Sequence, residues 1–308
     1  MKLACLISLV GCAVACERRP PDTPPVLRSP RYFIVGKTPT QTLGRDSQKL
    51  LPGFGVVVVD QWFSGGEQIG RTSLGRQVAM RDLRPANPSR FSGAHLDQPR
   101  LDFGWVVKEG APVFAEPEQG KVVARKHRYA RLSLQDRNGP QGFYRVAEGW
   151  MTDGDLRVPH LAPRPTEVAD GEPWIDVELS TQTLVAYRGD GPIFATLVAT
   201  GVGSAGAAFA PPKGIHHIRG KLLAATMDNL EHTGVVPYSY EEVPFTQYIG
   251  RVALHGAFWH DQFGIPRSHG CINLSPADAE WLFGFTQPAL PDGEKEVSAK
   301  TGTVVRVR

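Results

Sequence analysis

The chain has 308 residues, of which 41% are hydrophobic and 21% charged, and its formal net charge is +3. That composition supplies apolar residues for at least one core and excludes a disordered chain. The Lys and Arg residues are scattered and form no basic arm, which argues against nucleic acid as a partner. The 33 glycines and 26 prolines favour strands and turns over long helices.

The N-terminus carries one lysine, an apolar run from Leu3 to Val10, small residues, and then a proline-rich stretch. The run is too short for a membrane span and reads as an export signal over residues 1–16. Leu9-Val10-Gly11-Cys12 is similar to a bacterial lipoprotein cleavage box, with Ala13-Val14-Ala15-Cys16 as the alternative. Lipidation at Cys12, or at Cys16, would anchor the exported chain to a membrane. The expected location is therefore the periplasm or cell envelope. Residues 17–31 read as a tether, with few apolar side chains and five prolines between Glu17 and Pro30. Of the four cysteines, Cys5, Cys12 and Cys16 lie in this leader, so Cys271 is the single thiol of the body. A lone thiol in an exported protein calls for a reason.

Residues 32–100 contain one strong strand candidate, Phe54–Val59, and a polar stretch from Leu83 to Arg100 that reads as loop; their role is left open. From 101 to 160, short strand candidates alternate with turns at Val106-Val107, Ala111–Ala115, Phe143–Val146, Gly149–Met151 and Asp155–Val158. This stretch resembles a bacterial SH3-like module, a small β-barrel that Trp150 would pack, with ligand binding by Trp150 as the alternative. Residues 161–173 read as a proline-bearing linker.

Residues 174–308 read as a further, mainly β domain. Trp174–Leu179 alternates apolar and polar residues, as a half-buried strand does. Thr183–Tyr187, Ile193–Thr200, Arg251–Leu254 and Thr303–Val307 follow as strands. Ser275-Pro276-Ala277-Asp278 marks a helix start, with Ser275 as the cap, Pro276 at the first helical position and Asp278 completing a capping box.

The chemistry concentrates at His255-Gly256 and at Ser268-His269-Gly270-Cys271-Ile272-Asn273. A cysteine attacks a carbonyl as its thiolate, and a nearby histidine can take that proton and return it to a leaving amine. Backbone N–H groups near Gly270 and Cys271 could hold an oxyanion. A zinc site built from His216, His217, His255, His260, His269 and Cys271, or purely structural roles, are the other readings; the spacing fits no common zinc motif.

These residues carry a resemblance. An upstream His-Gly followed by Ser-His-Gly-Cys-Ile-Asn is similar to the signature of the L,D-transpeptidase catalytic domain of the YkuD type, supported by Gln182-Thr183-Leu184, Thr200-Gly201 and Pro211-Pro212-Lys213-Gly214. The resemblance covers about residue 173 to the end. It implies a β-sandwich fold and a cofactor-free, metal-free cysteine enzyme. Cys271 would be the nucleophile and His255 the proton donor and acceptor, its ring oriented by the Gly256 carbonyl. His269 would support the thiol, and the Gly270 N–H would belong to an oxyanion hole. Ser268 and Asn273 would brace the turn or meet substrate, and Tyr238, in a flap segment from Met227 to Tyr248 that also holds Tyr240 and Phe245, would contact substrate. The implied acyl donor is a peptidoglycan tetrapeptide stem that releases D-alanine. The implied acceptor is a diaminopimelate side-chain amine or an envelope-protein amine. L,D-carboxypeptidase and protein-to-peptidoglycan ligase are the enzymatic alternatives, and an inactive wall-binding protein the non-enzymatic one.

Overall fold

A computed structural model describes residues 32–44, 47–118, 120–137, 139–202, 209–231 and 236–308. The export signal, both cysteines proposed for lipidation, Cys12 and Cys16, and the tether lie outside the described residues.

The C-terminal half is a sandwich of two sheets around one core. The first sheet orders its strands Gly214–His217, Val304–Val307, Pro173–Glu178, Thr183–Arg188, Gly191–Leu197 and Ala94–His95. The second runs Ile272–Leu274, Ala253–Gly256, Ser239–Tyr248, Gly55–Ser64, Tyr32–Val35 and Leu83–Pro85, with Gly220–Asp228 also paired to Ser239–Tyr248. Ile175, Val177, Leu184 and Val305 of the first sheet meet Phe245, Leu254, Ile272 and Leu274 of the second. The helix Pro276–Phe285 closes this core with Ala279, Leu282 and Phe283.

The strand expected to be half-buried, Trp174–Leu179, is observed at Pro173–Glu178 and is buried on both faces. Its odd-numbered residues enter the shared core. On the other face, Trp174 stacks on Tyr187 with ring centroids 4.2 Å apart. Beside it the Asp176 carboxylate accepts from Arg306 Nε at 2.6 Å and from Arg308 Nε at 2.9 Å. A polar residue at an alternating position marks an exposed face only when it lacks a partner, and Asp176 has two.

Ser275 caps the helix as expected, accepting from the Asp278 N–H at 3.2 Å. Asp278 itself corrects the capping-box expectation. Its buried carboxylate accepts from the Gly93 N–H at 2.9 Å and from the Thr196 and Ser92 hydroxyls. The stretch read as loop, Leu83 to Arg100, thus holds two short strands, Leu83–Pro85 and Ala94–His95, and is pinned to the helix start.

The N-terminal region is built into the second sheet. Gly55 pairs in parallel with Tyr240, and the Glu241 carboxylate accepts from the Val57 N–H at 3.0 Å and from the Ser73 hydroxyl at 2.9 Å. Glycine is required at 55 by space. A Cβ there would lie 2.7 Å from Tyr240 Cδ1 and 2.8 Å from Phe258 Cζ. Gly55→Ala should therefore cost about 1–3 kcal/mol through overpacking, read as a lower denaturant midpoint at unchanged slope. An unchanged midpoint would mean that this contact is loose.

Between 103 and 157 the strands make a four-stranded and a three-stranded sheet around Val106, Val113, Met151 and Leu156. The closed barrel expected here is not formed among the described residues. The strands fall into these two separate sheets, and among the described residues no ladder of hydrogen bonds joins one to the other. Trp150 is half-buried opposite Phe114, under the Arg145 guanidinium. The segment read as a linker is tied down: the Ala162 N–H donates to Tyr187 Oη at 2.9 Å and Arg306 Nη1 to the Pro163 carbonyl at 2.8 Å.

Candidate active site

The site is assembled by one parallel strand pair. Ala253–Gly256 lies beside Ile272–Leu274, with Leu254 opposite Ile272 and His255 opposite Asn273. Side chains alternate across a strand. Leu254, Ile272 and Leu274 therefore point into the core, and His255 and Asn273 share the opposite face. Cys271, two residues before Asn273, completes that face. His255, Cys271 and Asn273 all line one cavity of about 430 Å³.

The turn before Cys271 is held by a relay of hydrogen bonds from the first sheet. The Gln182 carboxamide accepts from the Thr200 N–H and donates to Thr200 Oγ1, both at 2.8 Å. The Thr200 carbonyl then accepts from the Arg267 and Ser268 N–H groups at 2.7 and 2.9 Å. Gly270 has φ of +122°, a region that favours glycine. Gly201 packs on it so closely that a Cβ at 201 would stand 2.8 Å from the Gly270 backbone.

The Ser268 hydroxyl donates to the Cys271 carbonyl and accepts from the Gly270 N–H at 3.1 Å. The N–H expected to face an oxyanion is thus engaged by Ser268, and the Ser268 hydroxyl spends its donor within the turn rather than on the cavity. This follows from the sharp turn that Gly270 allows, which brings residues 268 and 270 within bonding distance.

His255 is 2% exposed, and its Nδ1 lies 3.3 Å from the Gly256 carbonyl oxygen. Since that oxygen can only accept, Nδ1 carries the proton and Nε2 is left as the basic nitrogen. Burial pulls the His255 pKa down to about 4 against a smaller opposing effect of that carbonyl. Burial likewise pushes the Cys271 thiol up, opposed by the Ala253 backbone N–H. At rest the pair is a neutral thiol and a neutral imidazole.

His269 is exposed, with its ring 4.9 Å from those of both Phe209 and Tyr238. Tyr238 lines the cavity, and so do Met227 and Tyr240. Phe245, grouped with these aromatics by sequence, is 2% exposed in the core against Phe283. His216 and His217 lie on the first sheet, bonded to the Pro212 and Gly302 carbonyls. Among the described residues no group of three or more His, Cys, Asp or Glu side chains is arranged to hold a metal ion.

Two residues at the site were not singled out from sequence, and a third, His260, was read there only as a candidate zinc ligand. Trp259 stacks on Tyr240 with centroids 3.8 Å apart and an interplanar angle of 11°, and lies 5.7 Å from the His255 ring. Among the described residues that line the cavity, Arg267, exposed at its edge, is the one Lys or Arg, and none is a carboxylate. His260 is bonded to Asn273. All three fall in the short connection between His255 and Cys271. Its brevity was a usable signal, because a loop of this length cannot leave the site it joins.

No curated protein matches the chain. Among solved structures, a variant of Enterococcus faecium L,D-transpeptidase is 23% identical with a TM-score of 0.35, covering 45% of this chain and 50% of that one. The catalytic domain from the same organism is 23% identical with a TM-score of 0.34, covering 46% of this chain and 100% of that one. Mycobacterium tuberculosis L,D-transpeptidase 3, carrying a faropenem-derived adduct, is 20% identical with a TM-score of 0.34, covering 44% and 60%. This chain thus spans half the length of the first of them. The stronger finding is in the sequence itself: residues 172–307 match the model of the YkuD family, the L,D-transpeptidase catalytic domain, and this segment of the chain is a domain of that family.

Proposed function

We propose that the protein is a peptidoglycan L,D-transpeptidase that works through a Cys271 thioester, in an extracytoplasmic location. The observation that carries the reading is the pairing, in a domain of this family, of a cavity-lining thiol with a buried imidazole whose Nδ1–H is spent on the Gly256 carbonyl.

His255 Nε2 takes the Cys271 proton as the sulfur attacks the carbonyl carbon between the L-centre of diaminopimelate and the terminal D-alanine of a tetrapeptide stem. The oxyanion is met by backbone N–H groups of the turn, the Gly270 N–H leaving Ser268 to do so. Collapse breaks the C–N bond, and His255 returns the proton to the departing D-alanine amine. An acceptor amine then attacks the thioester, gives its proton to His255 and expels the thiolate. The Tyr240–Trp259 stack excludes water along one wall, and Arg267 offers a cation to an acidic donor. An envelope-protein amine as acceptor would make the same intermediate serve protein anchoring, and water would make it serve L,D-carboxypeptidase activity. An anchor at Cys12 or Cys16 would hold the enzyme within reach of the wall.

Purified protein incubated with disaccharide-tetrapeptides should give cross-linked dimers and free D-alanine by mass spectrometry. Shortened stems alone would point to hydrolysis. No turnover, with co-sedimentation on isolated wall preserved, would leave a wall-binding protein and end the enzymatic reading.

A further inference from the structure

Residues 32–76 have no part in the steps above, yet they form the back of one active-site wall. Tyr240 lines the cavity from the strand Ser239–Tyr248 and stacks on Trp259, whose ring is 5.7 Å from that of His255. Phe258 stands edge-on to both of these rings. It is fully buried against Tyr32, with ring centroids 4.2 Å apart, in a small core that Ile34 and Val57 complete. The N-terminal strands Tyr32–Val35 and Gly55–Ser64 thus supply the packing behind the wall.

Three successive residues of the wall strand are held from these same strands and the turn that follows them. Tyr240 pairs with Gly55, and its ring takes the space that a Cβ at 55 would need. The Tyr32 hydroxyl donates to the Glu242 carbonyl at 3.2 Å. Glu241, between them, projects to the opposite face from Tyr240. Its fully buried carboxylate accepts from the Val57 N–H at 3.0 Å and from the Ser73 hydroxyl at 2.9 Å, with Arg76 Nη1 3.6 Å away. Taking a carboxylate out of water is costly unless hydrogen bonds and a counter-charge meet it. The N–H, the hydroxyl and the guanidinium that meet Glu241 all come from residues 57 to 76. Glu242 has φ of +45°, a left-handed conformation that a non-glycine residue keeps only where its surroundings hold it. The contacts on 240, 241 and 242 supply that hold.

We propose that Glu241 is a positioning residue: through it and the contacts beside it, residues 32–76 set the Tyr240–Trp259 wall, so that the N-terminal region belongs to the substrate-binding unit. That the wall meets the acyl donor rests on the function proposed above; that its geometry is set from residues 32–76 does not.

Two measurements on the full chain test this. The Trp259 indole N–H resonance, identified by its loss in Trp259→Phe, should move in Glu241→Ala and, by less, in Ser73→Ala. It should stay near its native place in Glu241→Gln, which keeps an oxygen to accept from Val57. It should stay also in Val113→Ala, which opens the separate core of residues 103–157 and lowers stability without touching the wall. A resonance that Glu241→Ala and Ser73→Ala leave unmoved, or that Val113→Ala moves as far, overturns the proposal whatever the protein's activity. On a Cys271→Ala background, which binds the tetrapeptide without consuming it, Glu241→Ala should weaken the dissociation constant about tenfold. Glu241→Gln should weaken it by no more than a few-fold. Added to Tyr240→Leu, Glu241→Ala should cost nothing further, because Glu241 acts through Tyr240. Equal losses for alanine and glutamine, or a full further loss beside Tyr240→Leu, would overturn the positioning role. A tetrapeptide that fails to bind the Cys271→Ala chain would count against the donor and leave the Trp259 resonance to decide.

Discussion

Cys271→Ala is expected to lower turnover by about 10⁴-fold or more, since removing the nucleophile of a covalent mechanism leaves only binding and oxyanion stabilisation. The same change should scarcely touch folding. Cys271 is half-buried at the edge of the core, and alanine loses one sulfur beside a cavity that already reaches it. The thermal midpoint should stay within a few degrees, so the loss can be assigned to chemistry. Intact-mass spectrometry reads the prediction directly. The native chain mixed with tetrapeptide should gain the mass of the stem less D-alanine, and the variant should gain nothing. An adduct that persists in Cys271→Ala would place the nucleophile elsewhere, and no other cysteine lies after residue 16.

Much of this site is local in sequence, which is why it could be read there. Ser268 to Asn273 is one continuous turn and strand, and His255 follows Ala253 and Leu254 in the four-residue strand Ala253–Gly256. Alternation and turn chemistry are short-range signals, and so is the helix cap at Ser275. What escaped was set by contacts between distant residues. The pairing of Gly55 with Tyr240 and the bond from Val57 to Glu241, 184 residues apart, leave no trace in either segment alone. Neither does the destination of the Asp278 carboxylate, which goes to Ser92, Gly93 and Thr196 although its local pattern is that of a capping box. The same limit applied at the site. That Gly270 and Ser268 face each other depends on the backbone of the turn, and that His260 reaches Asn273 depends on how a loop folds back on a parallel strand pair. Residue types showed which groups were available, and only the packing decided which bonds they made.

The pH dependence separates two ways in which a thiol and an imidazole can work. In an ion pair the thiolate exists at rest, and reaction with iodoacetamide is already at a plateau in neutral solution. Here the thiol is pushed up and His255 is pulled down to about 4, so the thiolate forms only as the proton moves during attack. Alkylation of Cys271 should therefore be slow at pH 7 and rise about tenfold per unit towards high pH. The acid limb of kcat/KM should lie near pH 4, where His255 protonates, well below the ordinary histidine value. Stability should change in the same window. Between about 6.5 and about 4 the unfolded chain binds a proton at this position that the native chain refuses, so His255 contributes its full stability above 6.5 and loses it as the pH falls through about 4. His255→Gln keeps a polar group of similar size and removes the base. It should cost roughly 10²- to 10⁴-fold in turnover and flatten the acid loss of stability. The alkylation profile of Cys271 should hardly move, because burial sets that thiol and a charged partner does not. A native plateau in alkylation from pH 5 to 8 that His255→Gln abolishes would instead establish a resting ion pair and overturn the neutral assignment.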